Sequence, residues 1–348
     1  GIGASMIFST NIAILVGAFD KELRGKVLGY STSSTYAGLS AGPVLGGFLN
    51  HNFGWKSIFI AAAIVSAVAF YGAFRKLPAE NRTKDKSHMD WRGVFLYITA
   101  IVGLMYGFST LTASDAGPFI LAAGAILMFL FIRTELKQEN PVIEVRMFGQ
   151  NLSYAFSNLA ALLNYGATYA ISYLISIYLQ TVMDYNSQTA GLILIASPLV
   201  MAVLSPVAGR LSDKHSPYIM SSAGMGFCAA ALALFSFLPQ ESSIFRIIGT
   251  LSLSGIGFAL FTSPNTNAVM ASVEKEDYGI ASSILATMRS IGHTASMAVV
   301  TLVMGAYLGN TALDKADTAV LMDTIHTCFY VFTALCIAGI FIALKRKT

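Results

Sequence analysis

Polar and apolar residues in this chain are sorted into long blocks rather than mixed at short period. No Asp, Glu, Lys or Arg interrupts the stretches from Lys26 to Lys56, Lys56 to Arg75, Arg92 to Asp115 or Asp115 to Arg133. The pattern repeats from Arg146 to Asp184, Asp184 to Arg210, Lys214 to Glu241, Arg246 to Glu274 and Asp323 to Lys345. An apolar run of about 18 residues or more crosses a bilayer core as a helix. Helices are the expected form, because hydrocarbon offers no partner to an unpaired backbone N–H or C=O. The blocks predict spans near residues 1–18, 27–49, 56–74, 93–111, 117–133, 152–180, 188–209, 217–238, 245–270, 279–308 and 323–344. The expected fold is therefore all-α, a polytopic membrane protein of ten complete helices and one partial one.

Composition agrees. Of the 348 residues, 55% are hydrophobic and 11% charged, too few charges to cover a soluble globule, which carries about 25%. The opening stretch 1–19 is apolar, with no basic leader and no cleavage-site pattern, so it reads as a span rather than a signal peptide. Because it starts at Gly1 inside apolar sequence, the chain is expected to lack an N-terminal part. The net charge of +4 has a spatial meaning. When loops are assigned to alternate sides, 18 of the 22 Lys and Arg fall on one side; only Lys56, Arg246 and Lys315 fall on the other, and Arg289 lies within a span. Basic loops stay in the cytoplasm. That places loops 19–26, 75–92, 134–150, 210–216 and 271–278 and the C-terminus there, in a cell membrane. Basic residues confined to short loops exclude a nucleic-acid surface. Cys228, Cys328 and Cys336 lie in apolar spans without metal-ligand spacing. Neither metal nor cofactor is expected, and the scattered His residues offer no catalytic cluster, so no enzyme is expected either.

The densest motif is Gly29, Gly38, Gly42-Pro43 and Gly46-Gly47 in span 27–49. Gly38, Gly42 and Gly46 recur every four residues, with Ser34 extending the row, so they form one small-residue stripe that lets another backbone approach. Pro43 lacks a donor and bends a helix. Arg289 is the one cation within a span, about 15 Å along its helix at 1.5 Å per residue. Such a group is a functional candidate by default. His293 follows one turn later on the same face. In span 152–180, Asn158, Tyr165, Tyr169 and Tyr173 recur near helical spacing, with Asn164 beside them. Tyrosine faces attract a lipophilic cation and form an amphipathic wall.

The glycine pattern resembles the antiporter motif in the fifth helix of drug/proton antiporters of the major facilitator superfamily. Further likenesses are Arg24-Gly25-Lys26, Tyr178-Leu179-Gln180, the loop motif Gly209-Arg210-Leu211-Ser212-Asp213-Lys214, Ser263-Pro264-Asn265-Thr266-Asn267 and Met288-Arg289-Ser290-Ile291-Gly292. The resemblance implies a helical bundle of two pseudo-symmetric halves with an inserted two-helix hairpin, in the fourteen-helix subgroup. Residues 1–74 would end the first half, 75–150 would hold linkers and the hairpin at about 93–133, and 151–348 would form the six-helix second half. Aligning Gly25 with Gly279 sets Gly38 on Gly292 and Thr35 on Arg289, as parallel repeats would.

The same resemblance implies a cavity lined by Asn158, Tyr165, Tyr169, Tyr173, Asn265 and Asn267, with Arg289 and His293 as the intramembrane charge. Asp213, on a cytoplasmic loop, is expected at the N-terminus of helix 27–49 with Arg24 as partner. No carboxylate sits at mid-membrane depth, so the proton-coupling one is expected on helices preceding this chain. The implied function is a proton-coupled exporter of lipophilic or cationic compounds, working as a monomer with small-molecule substrate, protons and the lipid bilayer as its partners. An uptake symporter on the same fold, or a non-transporting membrane sensor, are the alternatives.

Overall fold

The computed structural model describes residues 2–76, 90–111, 114–138, 141–143, 145–309, 311, 313 and 316–344. Lys315 and the terminal cluster Lys345, Arg346 and Lys347 lie outside the described residues, as does most of loop 75–92. Among the described residues every regular element is helical.

The order is α1 (Ile2–Ala18), α2 (Arg24–Phe53), α3 (Lys56–Lys76), α4 (Trp91–Ser109), α5 (Gly117–Glu135), α6 (Arg146–Gln150) and α7 (Leu152–Thr168). Then follow α8 (Ile171–Ile177), α9 (Ser187–Leu194), α10 (Ala196–Lys214), α11 (Pro217–Phe235), α12 (Ile244–Ala271), α13 (Tyr278–Leu308) and α14 (Thr318–Leu344). Side chains start several of them. The Asp90 carboxylate accepts from the backbone N–H of Arg92 and Gly93, Asn151 from Tyr154, and Asn186 from Thr189, so the orphan donors of a helix start are met. Gly309, at φ 57°, ends α13 in the region that glycine enters freely.

Nine helical stretches are long and apolar enough to cross a membrane among the described residues. The eleven expected spans exceed that number by α1, whose apolar stretch Ser5–Ala18 is short, and α2, which is diluted by glycine and the run Ser31–Thr32–Ser33–Ser34–Thr35. Three further details differ from expectation. Residues 210–214 are not a loop but the last turn of α10, so only His215 and Ser216 join α10 to α11. The last span begins at Thr318 rather than 323. The span at 152–180 is not one helix. It breaks at Tyr169–Ala170, where the Ala170 N–H donates to the Ser296 hydroxyl of α13 at 3.2 Å. A side chain that takes a backbone donor interrupts the helical ladder. The same segment ends in a π-helical turn, Tyr178–Val182.

The buried apolar cluster draws on Tyr154–Ala343, with Val16 and Leu28 the additions from α1 and α2. Within it α7 packs on α13 and α14, and α11 on α12. Helices α4 and α5 make a hairpin through small residues. A methyl group on Gly107 would meet the Leu121 Cα at 2.5 Å, and one on Gly124 the Leu104 backbone N at 2.5 Å. The Tyr97 hydroxyl donates to Thr287 of α13 at 3.1 Å, which fixes the hairpin to the bundle. None of the residues of α3 is buried by the other described residues.

Candidate functional site

One face of α2 carries the arrangement. Gly25, Gly29, Thr32 and Tyr36 follow one another at spacings of four, three and four, so they lie on one stripe of the helix. Its first part is locked to α10. A methyl group on Gly29 would meet the Ser205 carbonyl oxygen at 2.5 Å and the Gly209 Cα at 3.1 Å. Gly25 and Gly209 likewise approach backbone to backbone. Only glycine lets two helices come this close. The Asp213 carboxylate closes the end, accepting from the backbone N–H of Gly25 at 2.6 Å and of Lys26 at 2.8 Å. A carboxylate taking N–H donors at a helix start also meets the positive end of the helix dipole. Ser33 donates to the Ala202 carbonyl at 2.5 Å, and Arg210 to the Tyr30 hydroxyl.

Arg24 does not pair with Asp213. Its guanidinium lies over the Tyr278 ring, 5.0 Å from the centroid. The two backbone donors beside Asp213 take up its oxygens instead, so the expected ion pair is replaced by a carboxylate–backbone contact.

The glycine motif is divided between two faces. Nine residues, about two and a half turns, separate Gly29 from Gly38. Gly29 therefore faces α10, while Gly38, Gly42 and Gly46 face away from it and, among the described residues, have no neighbouring atom within 4 Å of an added methyl group. Pro43 and Gly47 also lie in α2, which runs on without interruption through both; their side-chain surroundings are outside the described residues.

About three turns beyond Gly25 the same α2 face reaches a cluster of rings. Tyr36 comes close enough to Tyr165 and Arg289 to interact electrostatically with both. The Arg289 guanidinium sits over the Tyr165 ring at 5.0 Å. His293 stacks on Tyr169 at 4.1 Å between ring centroids and meets Tyr165 edge-on at 5.4 Å. Phe258 and Phe261 of α12 stand at 6.2 and 6.3 Å from Tyr165. The helix break at Tyr169–Ala170 lies at this point, and Tyr169 is 47% exposed. A recess of about 250 Å³ is lined by Tyr169 and His293 of the cluster together with Ser109 near the end of α4 and Thr294, Met297 and Thr301 of α13.

The structure thus brings Tyr165, Tyr169, Arg289 and His293 together. Tyr173, beyond the break, has no ring contact with them among the described residues. Asn158 and Asn164 are buried in α7 below the cluster. The Asn158 Oδ1, both Asn164 amide atoms and the Ser157 hydroxyl have no hydrogen-bond partner among the described residues. Asn265 donates to the Ser157 carbonyl at 3.3 Å. Asn267 lies elsewhere, donating to the Ser212 hydroxyl at 3.3 Å beside the α2–α10 contact. Sequence reasoning passed over Tyr36 and Ser205. Tyr36 was recoverable, since it lies seven residues after Gly29 on the same face.

A polytopic bundle with a helix pair closed at one end and a charged aromatic cluster within its spans defines a helical membrane carrier. The model of the Major Facilitator Superfamily matches residues 1–294 and again 157–348, and the chain belongs to that family of transporters. Among its relatives, the riboflavin transporter RibZ of Clostridioides difficile is 26% identical over 352 residues, covering all of this chain and 76% of that protein. The multidrug resistance protein Stp of Mycobacterium tuberculosis is 28% identical over 331 residues, covering 92% of this chain. The chain spans 60% of the length of Stp. The crystal structure of the human organic anion transporter MFSD10 superposes with a TM-score of 0.67 over 97% of this chain and 67% of that one, at 15% identity, a likeness of fold alone.

Proposed function

We propose that the protein is a secondary carrier of the fourteen-helix kind that exports lipophilic, drug-like compounds in exchange for protons by alternating access. The observation that carries this reading is the single α2 face, shut on α10 at the Asp213 end and turned toward the Arg289–tyrosine cluster about three turns further on. An intramembrane site with one end closed is what a carrier needs in one of its two states. The closed end carries the basic loops, so it is taken as cytoplasmic and the site as reached from outside, in a cell membrane. In the other state Asp213 leaves the start of α2, and the α2–α10 contact opens.

Residues 1–74 serve as part of the first helical half, 75–150 as linkers and inserted hairpin, and 151–348 as the second half, in a carrier working as a monomer. The antiporter glycine pattern supports export, as does the name of Stp; the name of RibZ, at 26% identity, supports a second reading in which the cargo is a vitamin-like solute. The test is transport of a fluorescent lipophilic dye into vesicles holding the full-length protein, with and without an imposed pH gradient. Dye accumulation that follows the gradient and collapses with an uncoupler is expected. Accumulation indifferent to the gradient would end the antiport reading.

A further inference from the structure

Among the described residues, Arg289 is a cation inside a membrane span without an anion beside it. Among the described residues no carboxylate forms an ion pair with it, and its buried Nε has no hydrogen-bond partner. Its guanidinium lies over the Tyr165 ring, 5.0 Å from the centroid. A guanidinium stacked on a ring uses its flat face, so its N–H donors still point outward in the guanidinium plane. That fork matches the two oxygens of a carboxylate. One face of each tyrosine that would attract an organic cation is covered by a group of the protein itself: Tyr165 by Arg289, and Tyr169 by the stacked His293 ring. A guest entering the cluster therefore meets positive charge and unused donors, with the rings of Phe258 and Phe261 beside Tyr165.

We infer that this cluster recognises organic anions. An aromatic carboxylate is the fitting class: Arg289 takes the carboxylate in the plane of its guanidinium, and the flat body of the solute lies against the surrounding rings. The inference rests on the carrier reading, since it takes the cluster to lie on the transport path, and it reverses the cationic preference expected from the tyrosines alone.

Fluorescein and rhodamine 123 share a xanthene body and differ in charge, the first being an anionic carboxylate and the second a cationic ester. Fluorescence-polarisation titrations on the purified full-length protein should give at least tenfold tighter binding of fluorescein. Arg289→Gln should remove at least tenfold of the fluorescein affinity and strengthen rhodamine 123 binding. Arg289→Lys, which keeps the charge without the fork, should fall between. The wild-type preference needs no variant, so a poorly folding Arg289→Gln leaves the proposal decidable. Equal affinities, a preference for rhodamine 123, no binding of fluorescein, or an equal loss of both dyes in Arg289→Gln would overturn it. Vesicle transport is read separately. Anion-selective binding without gradient-driven movement of either dye would sink the carrier reading and leave the anion site standing. Gradient-driven rhodamine 123 transport unaffected by Arg289→Gln would do the reverse.

Discussion

Helices α2 and α13 are built alike and used differently. Each follows a single 3-10 turn, Lys21–Leu23 before Arg24 and Lys275–Asp277 before Tyr278, and the two turns stand at the same offset that aligns Gly25 with Gly279. Beyond that start they diverge. Gly292 of α13 is packed hard on α7, where an added methyl group would meet the Leu162 carbonyl oxygen at 2.7 Å and the Gly166 N at 3.0 Å. Its counterpart Gly38 has nothing within 4 Å among the described residues. At the position of Arg289, α2 carries Thr35, whose hydroxyl donates to its own helix at Ser31. So α13 is fixed to its neighbour and displays chemistry, whereas α2 is held to α10 by backbone contact near one end.

The sharpest way to break this contrast is to fill both glycines. Gly292→Leu forces a branched side chain between two backbones, and overpacking of that kind costs roughly 1–3 kcal/mol or more. It should lower the thermal unfolding midpoint by several degrees and reduce the yield of folded protein. Gly38→Leu should leave the midpoint within about a degree, since no described residue lies within 4 Å of an added methyl group there. Equal losses at the two positions would mean that the stripe of α2 is packed as firmly as α13, and the contrast would fail.

The next effect belongs to the closed end. Asp213→Asn keeps one acceptor and loses the charge that two backbone donors share. Charge-assisted hydrogen bonds contribute about 1.5–3 kcal/mol, enough to shift a two-state equilibrium by about tenfold or more. The state with that end closed should lose population, so that Ala202→Cys, whose carbonyl now receives Ser33, reacts faster with a water-soluble maleimide. Dye transport should fall by a similar factor. Unchanged labelling and transport would show that the α2–α10 contact is static.

Much of this arrangement was legible in the chain, and the limits have physical causes. The apolar blocks located the spans to within a few residues because bilayer thickness dictates their length. The stop of α10 was not legible: Arg210–Lys214 is polar enough to read as loop, yet it continues the helix because Gly209 and Ser212 press on α2 and Asn267. The break at Tyr169–Ala170 left no trace in the tyrosine spacing, since its cause is a hydroxyl on a distant helix. Arg289 was visible as an out-of-place charge; that it covers the Tyr165 ring was not, and that contact is the one on which the inferred preference for anions rests.

The smallest effect tests whether α13 is as fixed as it looks. Its link to the α4–α5 hairpin is the 3.1 Å hydrogen bond from Tyr97 to Thr287, two positions before Arg289. Tyr97→Phe removes that bond and keeps the ring against Phe131, whose centroid lies 5.1 Å away. A single neutral hydrogen bond contributes about 0.5–1.5 kcal/mol. If α13 is anchored by α7, the variant should transport within about threefold of the parent and bind fluorescein with unchanged affinity. A loss of tenfold or more in either measurement would mean that the hairpin sets the position of Arg289. The fixed element would then be the hairpin together with α13, and the contrast with α2 would have to be redrawn around that pair.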